Sequence, residues 1–350
     1  MAEIDSSKSS NIPLKHANLI RGPSQLSFDI TNKCNFRCLH CYNRSGESQI
    51  TKNELTDIEI LEFIKDIIKL KFLGFCFCGG EPLLREEILY ESARLLASSG
   101  IIVSLVTNGY VLTVDRAKKL SRAGISNTQI SLDGVTPETH EHLRKKKGSF
   151  NRALNAIKYL AKEGIRPEVA FVPTKFNIHE FLELVVLCRD LKVKEIRVQP
   201  LMNLGRAQIN EEELIPTPLQ YRDLVKMIYE LKEKEDGIII TWGDPVDHLI
   251  RYRTLMEHCC TFFGIKADGR IQTTPYIPLT VGNVRKHKFS EYWEAGLAKI
   301  WQLSILKEMA RQIRSIPDFN KRIEGIPRVY FEEDVQLDLI DDNLLGRTKL

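Results

Sequence analysis

The sequence predicts an α/β fold: a partial, open parallel (βα)6 barrel with a small α+β extension at its C-terminal end. Two observations carry this prediction. Strand and helix patterns alternate regularly from residue 25 to 242, and the motifs with chemical potential directly follow strands. Strands separated by helices imply βαβ crossovers and therefore a parallel sheet. We count six strand–helix units and a seventh strand, fewer than the eight that close a barrel.

The first unit shows both periodicities clearly. Leu26, Phe28 and Ile30 alternate with polar residues, as in a half-buried strand. Apolar residues then recur at helical spacing over 54–70, and a short apolar run at 72–78 predicts the second strand. The later helices are predicted at 86–98, 113–122, 150–163, 178–190 and 218–234, and the later strands at 101–106, 127–132, 168–173, 194–199 and 237–241.

The pattern divides the chain into three parts. Residues 1–24 are polar and Ser-rich and are interpreted as an N-terminal leader, 25–242 form the barrel core, and 243–350 form a distinct C-terminal region. Within the last part, Ala267-Asp268-Gly269 is a turn signal with apolar residues on both sides, which predicts a hairpin over 266–284. Helical segments are predicted over 289–314.

Composition excludes several classes of function. Hydrophobic residues make up 43% of the 350 residues and the net charge is only +4, which is typical of a globular protein and does not favour a nucleic-acid partner. The basic run from Arg144 to Lys147 is interpreted first as a solvated loop. No membrane span and no signal peptide are predicted, so we expect a cytoplasmic protein whose eight cysteines stay reduced.

Three of the cysteines form the central motif. Cys34, Cys38 and Cys41 follow the first strand with the spacing C-x3-C-x2-C. Thiolates are the ligands of iron–sulfur clusters, and three of them leave one iron of a four-iron cluster open for catalysis. The alternative is a zinc site with a distant fourth ligand, but zinc loops favour two C-x2-C pairs and no second pair is present.

This loop resembles the hallmark of the radical S-adenosylmethionine (SAM) superfamily, and the resemblance covers residues 25–205. It implies one 4Fe–4S cluster bound by Cys34, Cys38 and Cys41, and SAM chelated by the open iron. Electron transfer from the cluster would cleave SAM to methionine and a 5′-deoxyadenosyl radical. A reductant such as flavodoxin or ferredoxin is implied as a partner.

Further motifs at strand ends carry the same resemblance. They are Gly79-Gly80-Glu81-Pro82, Thr107-Asn108-Gly109, Ser131-Leu132-Asp133-Gly134 and Gln199-Pro200-Leu201. The resemblance implies that the first turn holds the methionine amino group, that Ser131 meets SAM, that Arg144 pairs with the SAM carboxylate, and that Leu201 packs on the adenine. The implied cofactor-binding residues are Gly79, Gly80, Glu81, Asn108, Ser131, Asp133, Arg144 and Leu201. His40 is expected to pack on the ligand.

The segment from Cys260 onward resembles the SPASM or "twitch" extension of peptide-modifying relatives, which binds auxiliary clusters. Thr274 stands where a second cysteine is expected and no later cysteine exists, so we predict a degenerate extension without a complete second cluster. Cys259 and Cys260 are interpreted as buried remnants, or alternatively as catalytic thiols that donate a hydrogen atom. Cys76 and Cys78 share one strand face and are predicted to be core residues near the site rather than ligands, and Cys188 is predicted to be structural.

The sequence therefore predicts an oxidoreductase that abstracts hydrogen from its substrate. The extension points first to a peptide, modified by epimerisation or crosslinking. The alternative substrate is a small molecule in cofactor or tetrapyrrole (haem-related) biosynthesis. A cluster-bearing binding protein without catalysis is the non-enzymatic alternative, against which the intact SAM motifs argue.

Overall fold

A computed structural model describes residues 22–48, 51–233, 237–256, 259–316, 318 and 335–346. Its strands form one eleven-stranded sheet in the order β11-β10-β9-β8-β1-β2-β3-β4-β5-β6-β7. Neighbouring strands from β1 to β7 are all parallel, so the predicted partial barrel is confirmed, and the sheet is open. Most of the predicted leader and the end of the chain lie outside the described residues.

The elements alternate as the sequence predicts. The strands are β1 Gln25–Thr31, β2 Gly74–Gly79, β3 Ile102–Thr107, β4 Ile125–Ser131, β5 Arg166–Phe171, β6 Glu195–Val198, β7 Ile239–Trp242, β8 Phe262–Ile265, β9 Arg270–Gln272, β10 Leu279–Asn283 and β11 Val335–Gln336. The helices are α1 Asp57–Ile67, α2 Glu86–Ser98, α3 Val114–Arg122, α4 Pro137–Arg144, α5 Ser149–Lys162, α6 Phe181–Asp190, α7 Arg206–Ile209, α8 Glu211–Leu214, α9 Pro218–Glu233, α10 Pro245–Thr254, α11 Phe289–Glu294 and α12 Ser304–Gln312.

The core lies between the sheet and its helices. On β1, Leu26, Phe28 and Ile30 are fully buried, and Phe28 packs against Phe63 of α1 with ring centroids 5.6 Å apart. The alternate residues of each strand therefore face the inside of the barrel. Those inner faces carry polar side chains and thiols, whereas the outer faces hold the packed apolar core.

The predicted hairpin is present, and it extends the main sheet. β8 and β9 are antiparallel around a turn in which Gly269 has a φ of +86°, a left-handed conformation that glycine adopts without strain. β8 also pairs in parallel with β1, so the C-terminal region continues the sheet at the β1 edge. Sequence periodicity does not reveal this pairing because it depends on contacts between residues more than 200 positions apart.

Helix α4 was missed by the sequence analysis, which placed no helix between 132 and 150. Its polar composition hid it, although Thr136 caps it and Pro137 occupies its first turn, two ordinary start signals. The helix ends at Arg144, so this residue is not part of a solvated loop. Within the described residues, no helix is long and apolar enough to cross a membrane.

Candidate active site

The candidate site is built on the loop between β1 and α1, where the three clustered cysteines lie. This loop leaves the C-terminal end of β1, the edge at which parallel α/β sheets carry their active sites. Glu54 holds its start: the carboxylate accepts hydrogen bonds from the Thr31 hydroxyl at 2.9 Å and the Asn32 backbone N–H at 2.7 Å. Asn43 donates to the Asn32 side chain at 3.2 Å. The loop is therefore ordered by its own polar contacts.

The three thiols suit an iron–sulfur cluster. Cys38 is buried and the other two are partly exposed. Burial raises the pKa of Cys34 to about 12 and that of Cys38 to about 11, so both stay protonated until a metal supplies positive charge. A cluster, in which each thiolate binds a different iron, fits this donor set.

The Gly79-Gly80 turn lies directly against the start of the cysteine loop. The backbone N–H of Gly80 donates to Thr31 at 2.7 Å, and that of Glu81 donates to Lys33 at 2.8 Å. A Cβ on Gly79 would lie 2.3 Å from the Thr31 carbonyl oxygen, and one on Gly80 would lie 2.2 Å from that of Lys33. The glycines of this turn, which the resemblance assigns to the methionine amino group, thus already permit close approach of two backbone segments.

Glu81 ties this turn to the next strand end. Its buried carboxylate accepts hydrogen bonds from the Thr107 hydroxyl at 2.7 Å and the Asn108 backbone N–H at 2.9 Å. The Asn108 side chain in turn donates to Asn35 in the cysteine loop at 2.8 Å. Asn35 was not singled out from the sequence. The structure thus gives Glu81 a positioning role, because its contacts in the described chain are with other residues of the motifs.

A buried charged group lies behind Cys38. Asp133 is fully buried, and its carboxylate lies 2.6 Å from Nε of Arg144 and 3.2 Å from Nε2 of His40. Burial raises the pKa of Asp133, but Arg144 and His40 outweigh it and hold the pKa well below its usual range. Nη1 of Arg144 lies 3.9 Å from the Cys38 sulfur. Arg144 therefore stands beside the cluster loop with its charge balanced by Asp133, and His40 contacts Asp133.

The loop after β6 closes the cysteine loop from the other side. Leu201 is fully buried in a small apolar cluster with Leu143 of α4. Arg206 donates from Nε to the Cys38 carbonyl at 2.9 Å and pairs with Glu47 at 2.9 Å. Sequence reasoning missed Arg206, and no local motif marks it. Ser131 ends β4 with its side chain on the half-buried face.

The remaining cysteines are distributed differently from the sequence prediction. Cys76 and Cys78 were predicted to be core residues, but they are half-buried on the inner face of β2, and their sulfurs lie 3.4 Å apart. They share one strand face near the site, as predicted, but that face is not the core, because Phe75 and Phe77 occupy the core face of this strand. Cys188 lies in the core, as predicted.

Cys259 and Cys260 lie away from the cysteine loop. Cys260 is fully buried and Cys259 is exposed. They precede β8, which runs parallel to β1. They therefore lie at the N-terminal ends of these strands, whereas the cysteine loop lies at the C-terminal end of β1. The separation along β1 is roughly 20 Å at 3.3 Å per residue. Burial of Cys260 agrees with its interpretation as a packed remnant.

Asp29 is a further inner-face residue that the sequence analysis did not single out. It lies on β1 beside Cys78 of β2 in the strand register. Burial raises the pKa of its carboxyl to about 7, and Lys266 only partly opposes this effect. An acid that titrates near neutrality on the inside of a barrel can accept or release a proton during a reaction.

The raised pKa of Asp29 should make the stability of the protein depend on pH. The folded protein keeps this proton up to about pH 7, whereas the unfolded chain releases it near pH 4. Asp29 therefore favours the folded state most at low pH, and this contribution is lost as the pH rises towards 7. Between pH 5 and pH 8, we expect the free energy of unfolding of Asp29→Asn to rise relative to that of the wild type by about 2–3 kcal/mol, at 1.4 kcal/mol per pKa unit.

Anaerobic unfolding of both proteins at several pH values measures this difference in the free energy of unfolding. The exposed Asp190→Asn is the matched control, and its gap to the wild type should not change with pH. If the difference between Asp29→Asn and the wild type does not change with pH, the pKa of the Asp29 carboxyl is not raised.

Comparison with known proteins places this geometry in context. Residues 28–188 match the Radical SAM superfamily. An AdoMet-dependent heme synthase from Methanosarcina barkeri is 27% identical over 79% of this chain and 83% of its own length. A PqqA peptide cyclase from Rhizobium meliloti is 28% identical over 77% of this chain and 73% of its own length.

Solved structures share the fold. Streptococcus suis SuiB bound to S-adenosylmethionine superposes with a TM-score of 0.67 at 16% identity, covering 83% of this chain and 70% of SuiB. The anSMEcpe structure with bound AdoMet gives a TM-score of 0.62 at 19% identity, covering 79% and 82%. These likenesses agree with an open parallel barrel.

Proposed function

Because residues 28–188 match the Radical SAM superfamily, we propose that this chain is a radical SAM enzyme that cleaves SAM and abstracts hydrogen from a peptide. The observation that carries the proposal is the gathering of three thiols, the Gly79-Gly80 turn and Arg144 at one edge of the sheet. A binding protein without catalysis would not need this additional machinery around its cluster.

The cofactors of this enzyme are one 4Fe–4S cluster and SAM. Cys34, Cys38 and Cys41 would hold the cluster. When bound, the cluster supplies the electron that cleaves SAM to methionine and a 5′-deoxyadenosyl radical. The Phe36 backbone N–H points at the Cys34 sulfur from 3.4 Å, and such contacts stabilise thiolate charge and tune cluster potential.

We assign SAM binding to residues at the ends of β2 to β6. Gly79 and Gly80 would present backbone oxygens to the amino group, Asn108 and Ser131 would line the site, and Leu201 would meet the adenine. Glu81 and Asp133 would act by positioning, since the first organises the turn and the second balances Arg144. The support for this assignment is their shared location around the cysteine loop.

Arg144 is assigned to the SAM carboxylate because its guanidinium lies beside Cys38. We expect Arg144→Ala to weaken SAM binding by about 1.5–3 kcal/mol, the scale of a hydrogen bond to a charged group. Arg144→Lys keeps the charge beside Asp133 but not the bidentate geometry, so it should weaken binding with less disturbance of the fold. Iron content should stay unchanged in both.

Equilibrium binding of SAM to the reconstituted protein measures the effect. Lys147→Ala, an exposed neighbour in the same basic run, is the control and should bind as the wild type does. Unaltered SAM affinity in both Arg144 variants would contradict the assignment.

A peptide substrate is the first proposal, modified by epimerisation or crosslinking. It is supported by the similarity to PqqA peptide cyclases, which extends over most of the chain. A tetrapyrrole or another small molecule is the second, because AdoMet-dependent heme synthases and an Fe-coproporphyrin III synthase match over a similar length and at similar identity.

The rate of 5′-deoxyadenosine formation decides between the two substrates. The reduced enzyme is incubated with SAM and either a short peptide that a neighbouring gene encodes, where one is present, or an iron coproporphyrin. We expect the peptide to raise the rate above that without substrate and to change in mass or stereochemistry. Stimulation by the porphyrin alone would favour the second proposal. Failure to form 5′-deoxyadenosine under any condition would reject the proposed enzyme.

The electron donor and the compartment are also proposals. We propose flavodoxin or ferredoxin as the reductant, which the reduction of a low-potential cluster requires. We propose a cytoplasmic location, where cysteines stay reduced. All eight cysteines are free thiols in the structure, which is compatible with such a compartment.

A further inference from the structure

Two thiols that the proposed function does not use lie side by side inside the barrel. The sulfurs of Cys76 and Cys78 are 3.4 Å apart, within hydrogen-bond distance for sulfur. Both side chains are half-buried on the inner face of β2, opposite the packed Phe75 and Phe77. A pair of apolar residues would fill this face without the reactivity of two adjacent thiols.

The pair lies beside the cysteine loop. Cys78 directly precedes the Gly79-Gly80 turn and is the closer of the two to the C-terminal end of β2. In the strand register Cys78 pairs with Asp29 and Gly79 pairs with Thr31, the last residue of β1 before the cysteine loop. A substrate inside the barrel beneath the cluster therefore has this pair along one wall.

The two sulfurs are electronically unequal. The hydrogen bond between the two sulfurs, in which either can be the donor, lowers the pKa of Cys76 against the effect of burial, with help from Ser104. The same contact, together with burial, raises the pKa of Cys78 well above its ordinary value. Cys78 is therefore the sulfur of the pair that keeps its proton. This arrangement suits a hydrogen-atom donor, Cys78, next to a second sulfur, that of Cys76, which can stabilise the radical left behind.

We propose that Cys76 and Cys78 form a redox-active dithiol in which Cys78 donates a hydrogen atom to the substrate radical. This inference rests on the proposed function and deepens it, since it assigns a source for the hydrogen that a redox-neutral outcome such as epimerisation requires. Cys78 takes the place of Cys259 and Cys260 as the proposed hydrogen donor, because those two residues lie at the N-terminal ends of the strands, away from the cysteine loop.

The step balances as follows. The S–H bond of Cys78 breaks homolytically and a C–H bond forms on the substrate, leaving a thiyl radical. The Cys76 sulfur, having released its proton to solvent, bonds to that radical to form a disulfide radical anion. This anion gives one electron to a carrier of the flavodoxin or ferredoxin class and becomes a neutral disulfide. Two electrons and two protons from a dithiol reductant restore both thiols.

Strand geometry makes that disulfide easy to reverse. Two residues apart on a strand, the Cα atoms are separated by about 6.6 Å at 3.3 Å per residue. This is near the upper end of the range that a disulfide spans, and strained disulfides are the readily reduced, catalytic ones. We therefore do not expect a permanent structural disulfide. We expect the pair to be oxidised and reduced in each catalytic cycle.

Cleavage of SAM in D2O without substrate tests the proposal. Thiol hydrogens exchange with the solvent, so a 5′-deoxyadenosyl radical quenched by Cys78 yields monodeuterated 5′-deoxyadenosine. With the wild type we expect this label, and a peptide covering 72–85 that is lighter by two hydrogens. Cys78→Ala should lose both signals. Cys76→Ala should keep the label but lose the disulfide, and Cys259→Ala should keep both.

A second readout does not depend on catalysis. Phenylarsine oxide bridges pairs of nearby thiols, so it should add to the cluster-loaded wild type in intact-protein mass spectra. We expect the adduct to be lost in Cys76→Ala and Cys78→Ala and retained in Cys259→Ala. Retention of the adduct in the first two variants would show that another thiol pair is captured and would overturn the pairing.

The outcomes separate this inference from the proposed function. Formation of unlabelled 5′-deoxyadenosine with the 72–85 thiols still reduced would overturn the dithiol and leave the enzyme's chemistry standing. Persistence of the label in Cys78→Ala would also overturn it. Absence of any 5′-deoxyadenosine would overturn the proposed function, and the inference with it.

Discussion

Replacing Cys34, Cys38 and Cys41 together by alanine is expected to abolish iron binding and SAM cleavage. Anaerobically reconstituted wild type should hold about four irons per chain, and its reduced-cluster EPR signal should shift when SAM is added. The triple variant should lose both because it removes all three thiolates assigned to the cluster. Iron analysis and EPR spectroscopy measure the result.

Cys259→Ala is the matched control, since this thiol is exposed and distant from the loop. It should retain the full iron content and the response to SAM. A SAM-responsive cluster that survives in the triple variant would contradict the ligand assignment.

The same analysis tests the prediction of a single cluster. About eight irons per wild-type chain, with half surviving in the triple variant, would indicate a second complete cluster. The structure separates the candidate ligands: Cys76 and Cys78 line the barrel, Cys188 lies in α6, and Cys260 is buried before β8. We therefore expect only four.

Removing the buried carboxylate of Asp133 should be the most destabilising single change near the site. Asp133→Ala leaves Arg144 with a buried positive charge and no adjacent counter-ion, which costs about 3–5 kcal/mol. The change also removes the acceptor for the Val172 backbone N–H, now bonded to Oδ1 at 3.0 Å. Anaerobic denaturant unfolding should show a large fall in the midpoint.

Two further variants separate charge from packing. Asp133→Asn keeps an oxygen for the Val172 N–H and should cost less than Asp133→Ala. Replacing Glu230, whose pair with Lys226 is exposed on α9, should change stability by less than about 1 kcal/mol. An equally small effect of Asp133→Ala would mean that Arg144 reaches solvent and that the pair is not buried as described.

Much of the architecture was predictable because it depends on local periodicity. The alternation on β1 and the helical spacing over 54–70 each reflect one buried face, and such faces recur at fixed intervals whatever the rest of the chain does. Helix α4 escaped because a short polar helix has little apolar periodicity, although its cap and its proline mark its start.

The candidate site was also predictable in part. The spacing of Cys34, Cys38 and Cys41 after a strand, together with the motifs at later strand ends, was enough to indicate a cluster and SAM. Asn35, Glu54 and Arg206, which hold the loop in place, escaped because each acts through a contact with a distant segment. Hydrogen-bonding residues of common types give no signal in a single sequence.

The sequence alone determined the fold class and the cluster loop, because strand and helix periods and ligand spacing are local properties, and the resemblance of its motifs indicated the chemistry. Only the tertiary structure decided which groups meet. It placed Arg144 against Asp133, β8 beside β1, and the thiols of Cys76 and Cys78 together on the inner face. Burial, and with it the energy of a charge or the reactivity of a thiol, is a property of the assembled neighbourhood.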